Sequence, residues 1–104
     1  MSAYALTPLA ADDLRRIWTY IAADNIDAAN RVEDAIFNAC AFVAEGPLRG
    51  HRRPDLTRRP VRFWSLPDYP NYAIVYRPDT TPLQVIAIVH TKRNVRRLLK
   101  RREP

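Results

Sequence analysis

The sequence predicts an α+β domain: an N-terminal strand, an antiparallel helical hairpin, a three-strand antiparallel meander completing one sheet, and a short C-terminal helix. Three observations carry this. Two amphipathic helical stripes follow each other across only a few residues, DNID (24–27). Three β-like runs, VRFWSL (61–66), YAIVY (72–76) and LQVIAIVH (83–90), are divided by PDYPN and PDTTP, which are turns by composition. At 104 residues and 47% hydrophobic content, the chain is the size of one small core, so residues 1–104 form a single domain.

Each element has its own signal. AYALT (3–7) is a short apolar run suited to a first strand. Thr7 and Pro8 form an N-cap followed by the proline tolerated at the first helical position, and Asp12 and Asp13 are expected where the helix dipole favours anions. The helix runs to about residue 23, with Leu14, Ile17, Trp18 and Ile21 at i, i+3, i+4 and i+7 as one buried stripe. Asp27 is expected to cap the second helix, whose stripe of Val32, Ala35, Ile36, Ala39 and Val43 stops at Gly46 and Pro47. GPLRGHRRPDLTRRP (46–60) holds both glycines and fits no period, so it is a basic loop. Alternation places Tyr72, Ile74 and Tyr76 on one sheet face and Ala73 and Val75 on the other. The run 83–90 is apolar almost throughout, as a central strand buried on both faces would be. Asn94 is a cap for a last helix with Val95, Leu98 and Leu99 inward, and Lys100 to Pro104 is left as a solvated tail.

Charge is distributed unevenly. Residues 1–45 hold three Arg against seven acids (net −4), and residues 46–104 hold fourteen Lys or Arg against four acids (net +10). The second half is therefore the half that attracts acidic partners. No apolar run is long enough to span a membrane and the N-terminus has no secretory pattern, so a soluble cytoplasmic protein is expected, with no membrane partner. Cys40 is alone in an Ala-rich helical run and is expected to be a buried structural thiol. With His51, His90 and Cys40 unpaired in spacing, neither a metal site nor a cofactor is expected.

The candidate binding residues are cationic and aromatic. Arg62 and Arg77 lie on strands and Lys92 and Arg93 follow the last one, so a meander brings them to a rim beside Arg52, Arg53, Arg58 and Arg59. Trp64 and Tyr69 are the aromatics expected to stay partly exposed. His90 closes the buried strand, where it can either move a proton or hold a strand end. No carboxylate pair or Ser-His-Asp set accompanies it.

In order and spacing, these segments resemble the toxins of the ParE/RelE superfamily of bacterial type II toxin-antitoxin pairs. LTPLAADDLRRIWTYIAADNIDAANRVEDAI is similar to the ParE-type opening, with its I-W-x-Y-I-A segment and a second helix beginning D-x-A-A. Pro47, Gly50, Arg52 and Arg53 resemble the P-x-x-G-x-x-R stretch of that branch. VRFWSLPDYPNYAIVYR with VIAIVHTKRNVRRLL is similar to the closing pattern of a strand, Y-x-I-x-Y-R, an apolar strand and H-x-x-R.

The resemblance implies one of two activities. RelE-type members are ribosome-dependent messenger RNA endonucleases with an Arg inside the Y-R-L-x-Y strand and often a Tyr near the C-terminus. Here Ala73 fills that Arg position, Leu98 and Leu99 occupy the Tyr region, and Arg93 alone keeps its match. ParE-type members poison DNA gyrase without this set, and the chain sides with them. The expected protein is a ParE-like toxin, catalysing nothing, that binds gyrase through Arg53, Arg62, Trp64, His90, Lys92, Arg93 and Arg97. A cognate antitoxin, acidic and apolar, would cover Trp18, Arg62, Tyr76 and Arg93. The alternatives are a ribosome-dependent RNase using His90, Arg93 and Arg62, and a non-toxic basic nucleic-acid-binding module.

Overall fold

The computed structural model describes residues 3–102. Its elements are β1 (Tyr4–Leu6), α1 (Pro8–Ala22), α2 (Ile26–Glu45), β2 (Arg62–Ser65), β3 (Tyr72–Arg77), β4 (Leu83–His90) and α3 (Val95–Arg101). The sheet order is β1-β4-β3-β2. β2, β3 and β4 form the expected antiparallel meander, but β1 joins β4 in parallel, Tyr4 beside Leu83 and Leu6 beside Val85, so the sheet is mixed. The helical hairpin between β1 and the meander is the long crossover that such a parallel neighbour requires.

The sheet divides the core. α1 and α2 cover one face, where Leu14, Val32, Ile36 and Val43 pack on Ile74, Tyr76, Val85 and Ile88. α3 and Leu56 cover the other, where Val95 and Leu99 meet Phe63, Val75, Ile86 and Val89. Between Val75 and Tyr76 the register slips: Val75 faces Ala87 and Tyr76 faces Val85. The bulge puts Ile86 and Ala87 on the same face, which breaks the alternation of β4, while burial on both faces makes it apolar nearly throughout.

The caps show where local signals compete. Thr7 Oγ1 accepts from Ala10 N at 3.1 Å with Pro8 at the first position, as its sequence predicts. Asp12 and Asp13 lie beyond the first turn, so they do not serve the dipole there. α2 is capped by Asn25, whose side chain accepts from Ala28 N at 3.0 Å, and Asp27 falls inside the first turn instead of at the cap. In the α1 stripe only Leu14 is fully buried, and Ile17, Trp18 and Ile21 are half-buried. Trp64 and Tyr69 are also half-buried, and Cys40 is fully buried.

The 46–60 loop is tied down at its start. Tyr76 has no accessible surface, and its hydroxyl donates to Pro47 O at 2.7 Å and accepts from Gly50 N at 2.9 Å. A Cβ on Gly50 would lie 2.5 Å from that hydroxyl and 2.8 Å from Phe63 O, so glycine is required there by close approach. His51 and Phe63 then exchange backbone bonds of 2.8 Å, covering the β2 edge at that point. No helix among the described residues is long and apolar enough to cross a membrane.

Candidate functional site: a basic groove at the end of the central strand

β1 is so short that it pairs with only the first part of β4, ending where Thr7 N donates to Val85 O at 3.0 Å. Beyond that point side chains occupy the β4 edge. Asp13 Oδ2 accepts from Ile88 N at 2.9 Å, and Arg102 Nη1 donates to Ile86 O at 2.9 Å. Arg102 also grips both oxygens of Asp13, at 2.6 and 2.7 Å, with the two side chains only 13% and 11% exposed. Arg102 therefore does not belong to a solvated tail, where its sequence position placed it; Glu103 and Pro104 lie outside the described residues.

Past this ion pair a groove of about 330 Å³ opens between α1, the end of β4 and α3. Ile17, Tyr20 and Leu98 make its sides apolar, and Arg16 and Arg93 make its rim cationic. A second cleft of about 380 Å³ shares Asp13, Arg16 and Leu98 with it and adds Arg97 and Arg101. Tyr20 is 71% exposed although its ring flanks the groove, so the fold leaves an apolar contact unused.

His90 lies in this groove opposite Tyr72, edge-on at 5.4 Å between ring centroids. Its Nδ1 accepts from Lys92 N at 3.3 Å, which holds the ring against the turn that follows β4. Arg93 is exposed beside it, and Arg97 N donates to the Asn94 cap at 3.0 Å. His90, Arg93 and Arg97 thus stand in one continuous depression, with Lys92 exposed next to them.

The other sequence candidates stand elsewhere. Arg62 pairs with Tyr76 and His90 with Tyr72, so about 13 Å along β3 and two strand spacings separate them. Arg62 Nη1 is used on Gly50 O at 2.8 Å. The set His90, Arg93 and Arg62 is not assembled. Trp64 stacks at a tilt on Phe42, 5.1 Å between centroids, and the Arg49 guanidinium sits 4.1 Å over Phe42. Arg53 is paired with Asp55 at 2.9 and 2.8 Å, which holds that exposed carboxyl below its ordinary range. Trp18 Nε1 donates to Asn30 Oδ1 at 2.9 Å and ties the hairpin together. Tyr76, expected at a partner interface, has no surface to offer and acts through the loop it holds.

Burial pushes the Cys40 thiol up to about 12, so the thiolate that nucleophilic or metal chemistry needs is strongly disfavoured. Among the described residues no group of three or more His, Cys, Asp or Glu side chains is placed to hold a metal ion. From the sequence Asp13 had only a helix-dipole role, and Arg16 and Tyr20 were not among the expected site residues. A signal existed for part of the site: Asp13, Ile17 and Tyr20 recur at i, i+4 and i+7 and so share a helix face.

The family described as "ParE toxin of type II toxin-antitoxin system, parDE" matches residues 4–95. A chain of the solved chromosomal ParDE TA system from P. aeruginosa superposes with a TM-score of 0.71 at 20% identity, over 88% of this chain and 98% of that one. At that identity the likeness is one of fold. No curated protein matches the chain.

Proposed function

The chain belongs to the ParE toxin family of type II toxin-antitoxin systems, and on that premise we propose that it poisons DNA gyrase and is held inactive by a cognate antitoxin. The observation that carries the reading is the groove beside β4, apolar inside and cationic at its rim, walled by α1 on one side and on the other by the end of β4 and α3, which belong to the half of the chain with the positive excess. An acidic amphipathic segment of the antitoxin fits it: apolar anchors go to Ile17, Tyr20 and Leu98, and carboxylates to Arg16, Arg93 and Arg97. Gyrase is the target that the ParE side of the resemblance implies. His90, Lys92, Arg93 and Arg97 form the surface that meets it, and covering this surface is how the antitoxin blocks action. The toxin makes and breaks no bond. The separation of Arg62 from His90 and Arg93 supports a binding role over RNA cleavage.

The test is purified protein in a gyrase supercoiling and cleavage assay, with translating ribosomes and primer extension in parallel. Inhibited supercoiling with accumulated cleaved DNA, relieved by the antitoxin, is the expected result. Cut transcripts beside unaffected gyrase would overturn the proposal in favour of an endonuclease. Inactivity in both assays with tight binding to naked nucleic acid would instead indicate a non-toxic binding module.

A further inference from the structure

α3 is a ridge with a cleft on either side. Leu98 lines the groove already described and Arg97 the 380 Å³ cleft adjoining it, whereas Arg96 and Lys100 face a different cleft, of about 400 Å³, whose opposite wall is the loop from Pro54 to Arg58. We infer that this 400 Å³ cleft between α3 and the loop binds the phosphate backbone of duplex DNA.

The cleft carries three cationic side chains against one carboxylate. Arg58, Arg96 and Lys100 are all exposed, and among the described residues none of them forms an ion pair. The one acid in the cleft, Asp55, is already engaged: Arg53 holds both carboxylate oxygens, and Arg96 takes its backbone carbonyl. That last bond fixes the guanidinium of Arg96 against the loop, so part of the ordering that binding would demand is already complete.

The occupant follows from what the cleft lacks. None of its lining residues is aromatic, and proteins that hold single strands rely on aromatic faces for the bases to stack upon. Of its two apolar side chains, Leu56 packs against the Val95 and Leu99 core and Pro54 is a single short ring, so an amphipathic acidic peptide would find no row of anchors, unlike in the groove beside β4. What is left is charge without stacking or apolar contact, the chemistry of a regular phosphate backbone. Arg96 and Lys100 are one helical turn apart, about 6 Å along α3, so they reach different phosphates.

The test is fluorescence anisotropy of the whole protein with a short labelled duplex of mixed sequence across a salt series. It needs no gyrase, so its outcome is separate from that of the gyrase assay. The variant R58Q/R96Q/K100Q is compared with R15Q/R31Q/R77Q, which removes the same charge from other surfaces. Three phosphate contacts give about −2.7 in the slope of log K against log salt, about a forty-fold weakening between 50 and 200 mM. The cleft variant is expected to lose most of that slope, and the matched variant to keep it. Lys100→Glu alone, which disturbs no hydrogen bond among the described residues, is expected to weaken binding in the same direction even if the triple variant folds poorly. Equal losses in both triple variants, no binding by wild type at low salt, tighter binding to a single strand than to the duplex, or full competition by polyglutamate would each overturn the inference.

Discussion

Arg102 reaches back across 89 positions to grip both carboxylate oxygens of Asp13, and the same pair closes the β4 edge through Ile86 O and Ile88 N. One ion pair thus joins α1, β4 and the end of α3. Because the side chains are 11–13% exposed, loss of one partner leaves a nearly buried charge behind. Arg102→Ala and Asp13→Asn are each expected to cost about 2–4 kcal/mol, lowering Tm by on the order of 10 °C. The double variant should cost less than the sum of the singles. Thermal melts of all three would show additive losses if the pair were merely superficial. A chain ending at Lys100 should be destabilised too, contrary to what a solvated tail would predict.

The loop anchor is the next test. Tyr76→Phe leaves Gly50 N–H and Pro47 O unsatisfied in the interior and is expected to cost about 1–3 kcal/mol. Gly50→Ala forces a Cβ against the same hydroxyl and against Phe63 O, and neither can move away cheaply: one is a buried ring, the other backbone in β2. Urea denaturation should show both losses. In the Tyr76→Phe background Gly50→Ala should cost less, since the closest atom is gone; an undiminished loss would put the clash on the backbone alone.

Tyr76 also sets an alkaline limit. Burial raises its pKa, opposed by the bond from Gly50 and by nearby Arg62. The unfolded chain ionises this tyrosine near pH 10, the folded chain only at higher pH. Its contribution to stability is therefore whole below pH 10 and declines as pH rises through the window between the two values, because there the unfolded state binds fewer protons. Tyr4 shifts the same way, so a comparison with Tyr76→Phe isolates the effect. Wild type should lose Tm more steeply than the variant as pH rises above about 10, and parallel curves would refute the assignment.

Much of this fold was legible because period and punctuation agree. The α2 stripe, the separators PDYPN and PDTTP, and the Thr7–Pro8 start each act over a few residues, and each appears where its sequence places it. Choices between near-equal local signals were less legible. Asn25 and Asp27 are both good caps, and the end of α1, where Asn25 N donates to Ile21 O at 2.9 Å, favours the first. Long-range pairing was not legible. Three residues of β1 carry no mark of a parallel partner, and Arg102 in a basic run looks like any other arginine until α3 has docked. For the site, the His90 to Arg97 stretch could be read because it is contiguous, whereas Arg62 was grouped with it by charge although the register holds them apart.

That separation gives the last prediction. Arg93 is exposed on the groove rim, and its backbone N–H, which donates to His90 O at 3.0 Å, survives truncation of the side chain. Arg93→Ala should therefore leave the unfolding free energy within about 0.5 kcal/mol of wild type while weakening both gyrase poisoning and antitoxin binding. Arg62 is built into the loop, its guanidinium on Gly50 O beside the Tyr76 hydroxyl. Arg62→Ala should lower stability by about 1–2 kcal/mol, and any loss of activity should recover at lower temperature, where the loop refolds. Titration calorimetry with the antitoxin and thermal melts, run on both variants, separate the two roles. If Arg62→Ala melts like wild type yet fails to bind, Arg62 touches the partner directly and the functional surface extends to the far end of the sheet.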